Sequence, residues 1–292
     1  MAPADDRPEG GTGEKPAENA CRSFPCIAGK TGSKSPAMAA NASKVRLPVV
    51  NGLGETLRKD NWWVGPMITF LVLSSFVVYA TFRALEGAHY AWGPYLSPLA
   101  SPYFETKGMG IPLLTPATLI LPFPGLFRFT CYYYRKAYYR SFAMTPPGCA
   151  VGAARPGSYN GERKLMIFQN LHRYALYFAL LFLVFLWHDF IKSLSWDGKL
   201  GMGLGSVVIL MNCTFLSLYT FSCHSFRHLV GGVIDSYSTT PFGMLRHKIW
   251  QGVSKLNINH MAFAWVSLIG VSLTDVYIRC VATGAFADIR LF

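Results

Sequence analysis

Charge is what this chain has least of. Asp, Glu, Lys and Arg make up 14% of its 292 residues, against about 25% in an ordinary soluble domain. The shortfall falls on a few long stretches with almost no charge, which argues against a soluble globular domain and for a membrane protein. Acidic residues are the scarcer sign, 15 against 27 basic, so the net charge is +12. This excess does not indicate a nucleic-acid partner. The Lys and Arg residues lie between apolar segments rather than in a stripe on a soluble module, as membrane topology requires. An apolar signal-peptide core is also missing: the opening MAPADDRPEGGTGEKPAENACRSFPCIAGKTGSKSPAMAANASK has none, so it does not read as a secretory leader. Rich in Pro, Gly, Ser and Ala and without apolar periodicity, residues 1–50 read as a disordered cytoplasmic tail. The seven cysteines are scattered and suggest no disulfide framework. Cys21 and Cys26, both in the tail, read as incidental thiols.

A helix needs about 20 apolar residues to cross a bilayer. Five stretches qualify, so residues 51–292 are expected to form an all-α integral membrane bundle of five transmembrane helices. They are Trp62 to Phe82, Ile111 to Phe127, Leu165 to Ile191, Leu200 to Phe221 and His260 to Ile278. The second contains Pro112, Pro116, Pro122 and Pro124 and is expected to kink at LPFPG before continuing through LFRFTCYYYRKAYYRSF. Lys and Arg are unevenly shared. The flank before the first span has four (Lys44, Arg46, Arg58 and Lys59), the stretch from Arg135 to Lys164 after the second has six and the segment after the fourth has four, against two in each opposite segment. The excess places the N-terminus in the cytoplasm and the C-terminus outside the plasma membrane. Trp62, Trp63, Trp92 and Trp196 fall near span ends, where interfacial aromatics belong.

Reactive side chains collect at one end of these spans. Cys223, His224 and His228 close the fourth span, His172 and Arg173 open the third, and His260 opens the fifth. Cys131 lies about a turn inside the second, and Cys149 follows in the loop. Singly, a helix-end His is an interfacial hydrogen-bonder and a membrane Cys a small apolar filler; gathered, ionisable groups near spans tend to mark function. His224 and His228, four residues apart, share a helical face. Cys213 shares that face but lies about 16 Å deeper and cannot join them. Two Cys with two His suit either tetrahedral zinc or a Rieske-type [2Fe–2S] cluster, in which two His replace two Cys on one iron.

The strings RFTCYYYRKAYYRSF…PPGC, NLHRY, SCHSFRHLVGG and SKLNINHMAFAW resemble the membrane-anchor subunit of actinobacterial-type succinate dehydrogenase, respiratory complex II, from Trp62 to the C-terminus. The resemblance implies a flavoprotein partner that oxidises succinate, an iron–sulfur partner that relays electrons, and a membrane quinone, expected to be menaquinone, that accepts them. The anchor is then a subunit of an enzyme, with no complete active site of its own. The resemblance further implies a membrane-embedded Rieske-type [2Fe–2S] cluster in place of haem. The expected ligands are Cys131 and Cys149 on one iron and His224 and His228 on the other. Cys223 is the strongest substitute for a cysteine, and His172 or His260 for a histidine.

Quinone reduction needs a polar pocket beside an apolar channel. Arg128, Tyr132, His172 and Arg173 are the expected quinone-binding residues, with Arg128 well inside the second span. A haem b anchor is the alternative, using an axial pair from His172, His224, His228 and His260, but it leaves Cys131, Cys149 and Cys223 without a task. A cofactor-free structural anchor is the other. Deleting residues 1–50 should leave complex assembly and quinone reductase activity intact, because this composition buries too little apolar area to offset the entropy of ordering; loss of assembly in the truncated chain would show that the tail docks on a partner.

Overall fold

The computed structural model describes residues 52–106, 113–153, 162, 164–196, 198–232 and 234–292. The expectation for residues 1–50 lies outside them. Among the described residues, four helices are long and apolar enough to cross a bilayer: α1 (Val64–Glu86), α5 (Leu165–Ser193), α6 (Leu204–Phe221) and α9 (His260–Ala282). Four of the five expected spans thus reappear with ends shifted by a few residues. α6 begins four residues late, because Ser195–Trp196 and Lys199–Leu200 form a hairpin, β3–β4. The chain then approaches Tyr95 too closely for any side chain. A Cβ on Gly203 would sit 2.2 Å from the Tyr95 hydroxyl, and one on Gly205 2.4 Å from its ring.

The second expected span is not one kinked helix. It is divided into α2 (Pro116–Ile120), α3 (Pro122–Thr130) and α4 (Tyr132–Ser141). Thr115 and Thr118 form a capping box at the start of α2, which satisfies orphan N–H donors. Pro122 cannot donate to the ladder, so a new helix starts there with proline in its first turn. A second break falls at Cys131, whose backbone is extended at φ −62°, ψ 129°.

These short helices run back along α1. Thr115 Oγ1 donates to Ala84 O at 2.6 Å at the end of α1, whereas Val151, beyond α4, pairs with Thr56 just before α1. α1 itself is largely exposed, with only Leu73 and Arg83 buried. The interior lies where α6 packs along α9 and α5, and α3 along α5. At the end where α6 stops, α7 (His224–Gly231) and α8 (Gly243–Asn257) form a helical hairpin. Arg227 ties it together, lying 4.7 Å over the Trp250 ring and donating to Ser254 Oγ at 2.9 Å.

The opposite end is locked by charge. Arg83 and Asp275, both with fully buried side chains, pair at 2.7 Å. Asp275 also accepts from Tyr79 at 2.5 Å and from Ser97. Arg83 reaches Ala88 O at 2.9 Å and His89 O at 3.1 Å. Glu86 joins Arg83 to Arg279. Removing one member of such a pair leaves a buried charge short of its counter-ion. Asp275→Ala should therefore lower stability by about 3 kcal/mol or more, read as a fall in the thermal denaturation midpoint of the purified protein. Asp275→Asn, which keeps hydrogen-bonding capacity, should cost less.

Candidate metal centre

Two cysteines occupy equivalent breaks in the helical path. Cys131 separates α3 from α4, and Cys223 separates α6 from α7 with φ −63°, ψ 140°. Their surroundings repeat. Phe127-Arg-Phe-Thr-Cys131-Tyr-Tyr-Tyr-Arg135 and Tyr219-Thr-Phe-Ser-Cys223-His-Ser-Phe-Arg227 share the pattern aromatic-x-Phe-hydroxyl-Cys-x-x-aromatic-Arg. Both thiols are 2% exposed.

Each repeat holds a histidine that faces the other repeat's cysteine. His172, in the second turn of α5, stacks on Phe127 with centroids 4.6 Å apart. Its Nδ1 lies 3.0 Å from Thr130 Oγ1, and its Nε2 lies 3.1 Å from Cys223 Sγ. His260, the first residue of α9, stacks on Tyr219 at 5.1 Å. Its Nδ1 lies 2.7 Å from Ser222 Oγ, and its Nε2 lies 3.7 Å from Cys131 Sγ. Both imidazoles are buried.

The hydroxyls assign the tautomers. Thr130 donates to Leu126 O at 2.7 Å, and Ser222 to Tyr219 O at 3.1 Å. Each hydroxyl proton is thereby used, so each oxygen accepts from an imidazole Nδ1–H. Both Nε2 atoms are left with lone pairs aimed at sulfur, the state in which histidine binds metal. The Tyr219 hydroxyl, in the same core as both thiols, is buried without a hydrogen-bond partner among the described residues. Such a group is costly unless an acceptor is supplied. Two thiols and two imidazoles in a largely apolar shell suit zinc, copper or iron–sulfur chemistry. Among the described residues, no three His, Cys, Asp or Glu side chains converge on one ion position. The donors come as two pairs, which disfavours mononuclear zinc.

Arg128 lies next to this core. It donates to Tyr134 Oη at 2.6 Å, Ala264 O at 3.2 Å and Ser267 Oγ at 3.0 Å, and stands 4.8 Å over the Tyr219 ring. Among the described residues no carboxylate pairs with it.

A family model for the actinobacterial succinate dehydrogenase subunit SdhC matches residues 64–284. The chain belongs to this family. It is also similar to a chain of the Mycobacterium smegmatis Sdh1 complex in the apo form, with 39% identity and a TM-score of 0.74. That match covers 86% of this chain and 97% of the other. No curated protein sequence matches it. As an SdhC-family protein it is a membrane subunit of succinate dehydrogenase, an oxidoreductase.

Of the four expected ligands in this SdhC-family chain, only Cys131 lies in the core. Cys149 is exposed in a loop, its carbonyl accepting from Arg58 at 3.4 Å. His224 and His228 are exposed on α7. The shared face of these two is real, but it belongs to a separate short helix, because the helical path breaks at Cys223. Of the expected quinone ligands, His172 is committed to Cys223, and Arg128 is held inside by neutral partners. Tyr132 and Arg173 are exposed. The sequence also carries a nine-residue repeat in which Cys131 and Cys223 hold equivalent positions and Cys149 has none. A thiol-reactive maleimide should label Cys149 in the native protein and reach Cys131 and Cys223 only after denaturation, as mass spectrometry of the labelled peptides would show.

Proposed function

We propose that this SdhC-family subunit anchors the flavoprotein and iron–sulfur subunits of succinate dehydrogenase and passes electrons to a membrane quinone through a [2Fe–2S] cluster held by Cys131, Cys223, His172 and His260. The observation that carries this reading is the pair of crossed Cys–His contacts at 3.1 and 3.7 Å. When bound, such a cluster supplies one-electron transfer at a higher potential than an all-thiolate cluster, because two neutral imidazoles replace two anionic thiolates. Thr130 and Ser222 hold the imidazole rings in place, Phe127 and Tyr219 stack on them, and the apolar core excludes water. The ligand set departs from the expected one: Cys223 replaces Cys149, and His172 and His260 replace His224 and His228. Haem b is the weaker reading, since each bare Nε2 already faces a sulfur.

The subunit crosses the plasma membrane five times in this reading, with α2, α3 and α4 making the second pass as a broken helix. The run of these helices back along α1 supports it, as does the Lys and Arg bias that puts the N-terminus in the cytoplasm. The two Cys–His pairs then lie in the cytoplasmic leaflet, near the iron–sulfur partner that delivers electrons. Tyr132 and Arg173, each next in sequence to a proposed ligand, offer polar contacts to the head group of menaquinone.

In the purified complex, the double change His172→Ala, His260→Ala should abolish quinone reduction and the EPR signal of this cluster, while succinate oxidation by a soluble artificial acceptor persists. His224→Ala, His228→Ala should leave both. The reverse pattern would return the ligands to α7. A haem absorption band with no such EPR signal in the wild type would replace the cluster altogether.

A further inference from the structure

We propose that Arg128 is a fixed positive charge that raises the reduction potential of the buried centre, acting from the Cys131–His260 side as a positioning residue and not as a ligand or a quinone contact. The inference rests on the cluster reading above. It starts from an imbalance of charge. Arg83 and Arg135 are buried, and both meet carboxylates: Arg83 meets Asp275 and Glu86, and Arg135 meets Glu162 at 2.9 Å. Arg128 meets none among the described residues. Its partners Tyr134 Oη, Ala264 O and Ser267 Oγ are all neutral. Ala264 and Ser267 belong to α9, a helix apolar enough to cross a bilayer, and lie no more than about 10 Å along its axis from His260. A cation there is costly. The three hydrogen bonds fix its place without cancelling its charge.

A second group at the same place lacks its counterpart. The guanidinium stands 4.8 Å over the Tyr219 ring, and that ring stacks on His260 at 5.1 Å. The Tyr219 hydroxyl is buried with no hydrogen-bond partner among the described residues. A cation without an anion and a donor without an acceptor therefore share the stack that ends on His260. The other pair does without both. His172 stacks on Phe127, which has no hydroxyl, and the repeat position equivalent to Arg128 is Thr220. Stacking on a histidine thus needs no phenol, and the repeat needs no arginine. What Arg128 and the Tyr219 hydroxyl have in common is that each favours negative charge beside it. Bound thiolates supply such charge. One electron from the iron–sulfur partner adds one unit more, with no bond made or broken, and then leaves to the quinone. At an effective dielectric of about 20, a unit charge about 10 Å away shifts that electron equilibrium roughly tenfold, which is about 59 mV for one electron.

A redox titration of the purified, intact complex tests this, followed by the EPR signal of the histidine-ligated cluster. Arg128→Gln should lower the midpoint by about 59 mV, a tenfold change for one electron, whereas Arg128→Lys should keep most of the wild-type value. Ser267→Asp leaves the guanidinium in place but sets a carboxylate against it, and should lower the midpoint as Arg128→Gln does. Succinate oxidation by a soluble artificial acceptor should persist in all three, because the partner subunits stay docked. An unchanged midpoint in Arg128→Gln and Ser267→Asp, or an equal fall in Arg128→Gln and Arg128→Lys, would overturn the role of the charge and leave the cluster in place. Loss of the signal in both Arg128→Gln and Ser267→Asp would make Arg128 a structural support and overturn it equally. A wild-type complex with no such signal would overturn the cluster reading, and this inference with it.

Discussion

Inside a bilayer no water meets a bare backbone carbonyl, so a helix that breaks there must find partners for the groups it frees. This chain breaks its helical path at Cys131 and at Cys223, and the centre depends on how the breaks are supported. The carbonyl of Thr130 accepts from the buried Arg135, and that of Ser222 accepts from Asn257 Nδ2 at 2.7 Å. With those carbonyls satisfied, the cysteine backbones stay extended. The preceding hydroxyls hold histidines from α5 and α9. A continuous helix at either place would carry its thiol and hydroxyl about 100° apart around the axis, without the local geometry that serves both.

The two ends of the bundle treat charge differently. Around Asp275 every cation meets a carboxylate, and hydroxyls and carbonyls complete the network. This is the pattern of a structural lock. Arg128 has only neutral partners: a phenol, a backbone carbonyl and a serine hydroxyl. A cation with only neutral partners in an apolar setting is expensive. Under the proposed cluster reading its cost would fall, because the nearby centre would carry thiolates and accept an electron.

The apolar runs made the long helices legible, because hydrophobic length alone decides whether a segment can cross. They misjudged the segment from Ile111, where the prolines suggested one kink but Pro122 and Cys131 impose two breaks. The same break bears on the ligand set proposed above. Treating the fourth span as running on through His228 makes the i, i+4 pair His224 and His228 look like a clamp. Once the path breaks at Cys223, that arithmetic no longer relates the thiol to residues on either side. His172 and His260 were recognised as gathering at the right end, but nothing in their own neighbourhoods ranks them above His224. Their roles come from Thr130 and Ser222, contacts across 42 and 38 residues.

The centre draws on both ends of the chain's membrane region, and that bears on biogenesis. In chain order Cys131 follows α3, His172 lies in α5, Cys223 follows α6 and Asn257 closes α8, but His260 comes only with the last helix, α9. A nascent chain paused before α9 presents one complete Cys–His pair and one cysteine without its histidine. Under the proposed cluster reading, loading would wait until the final helix has been made and packed against α6. The last long helix made is the one that completes the second Cys–His contact.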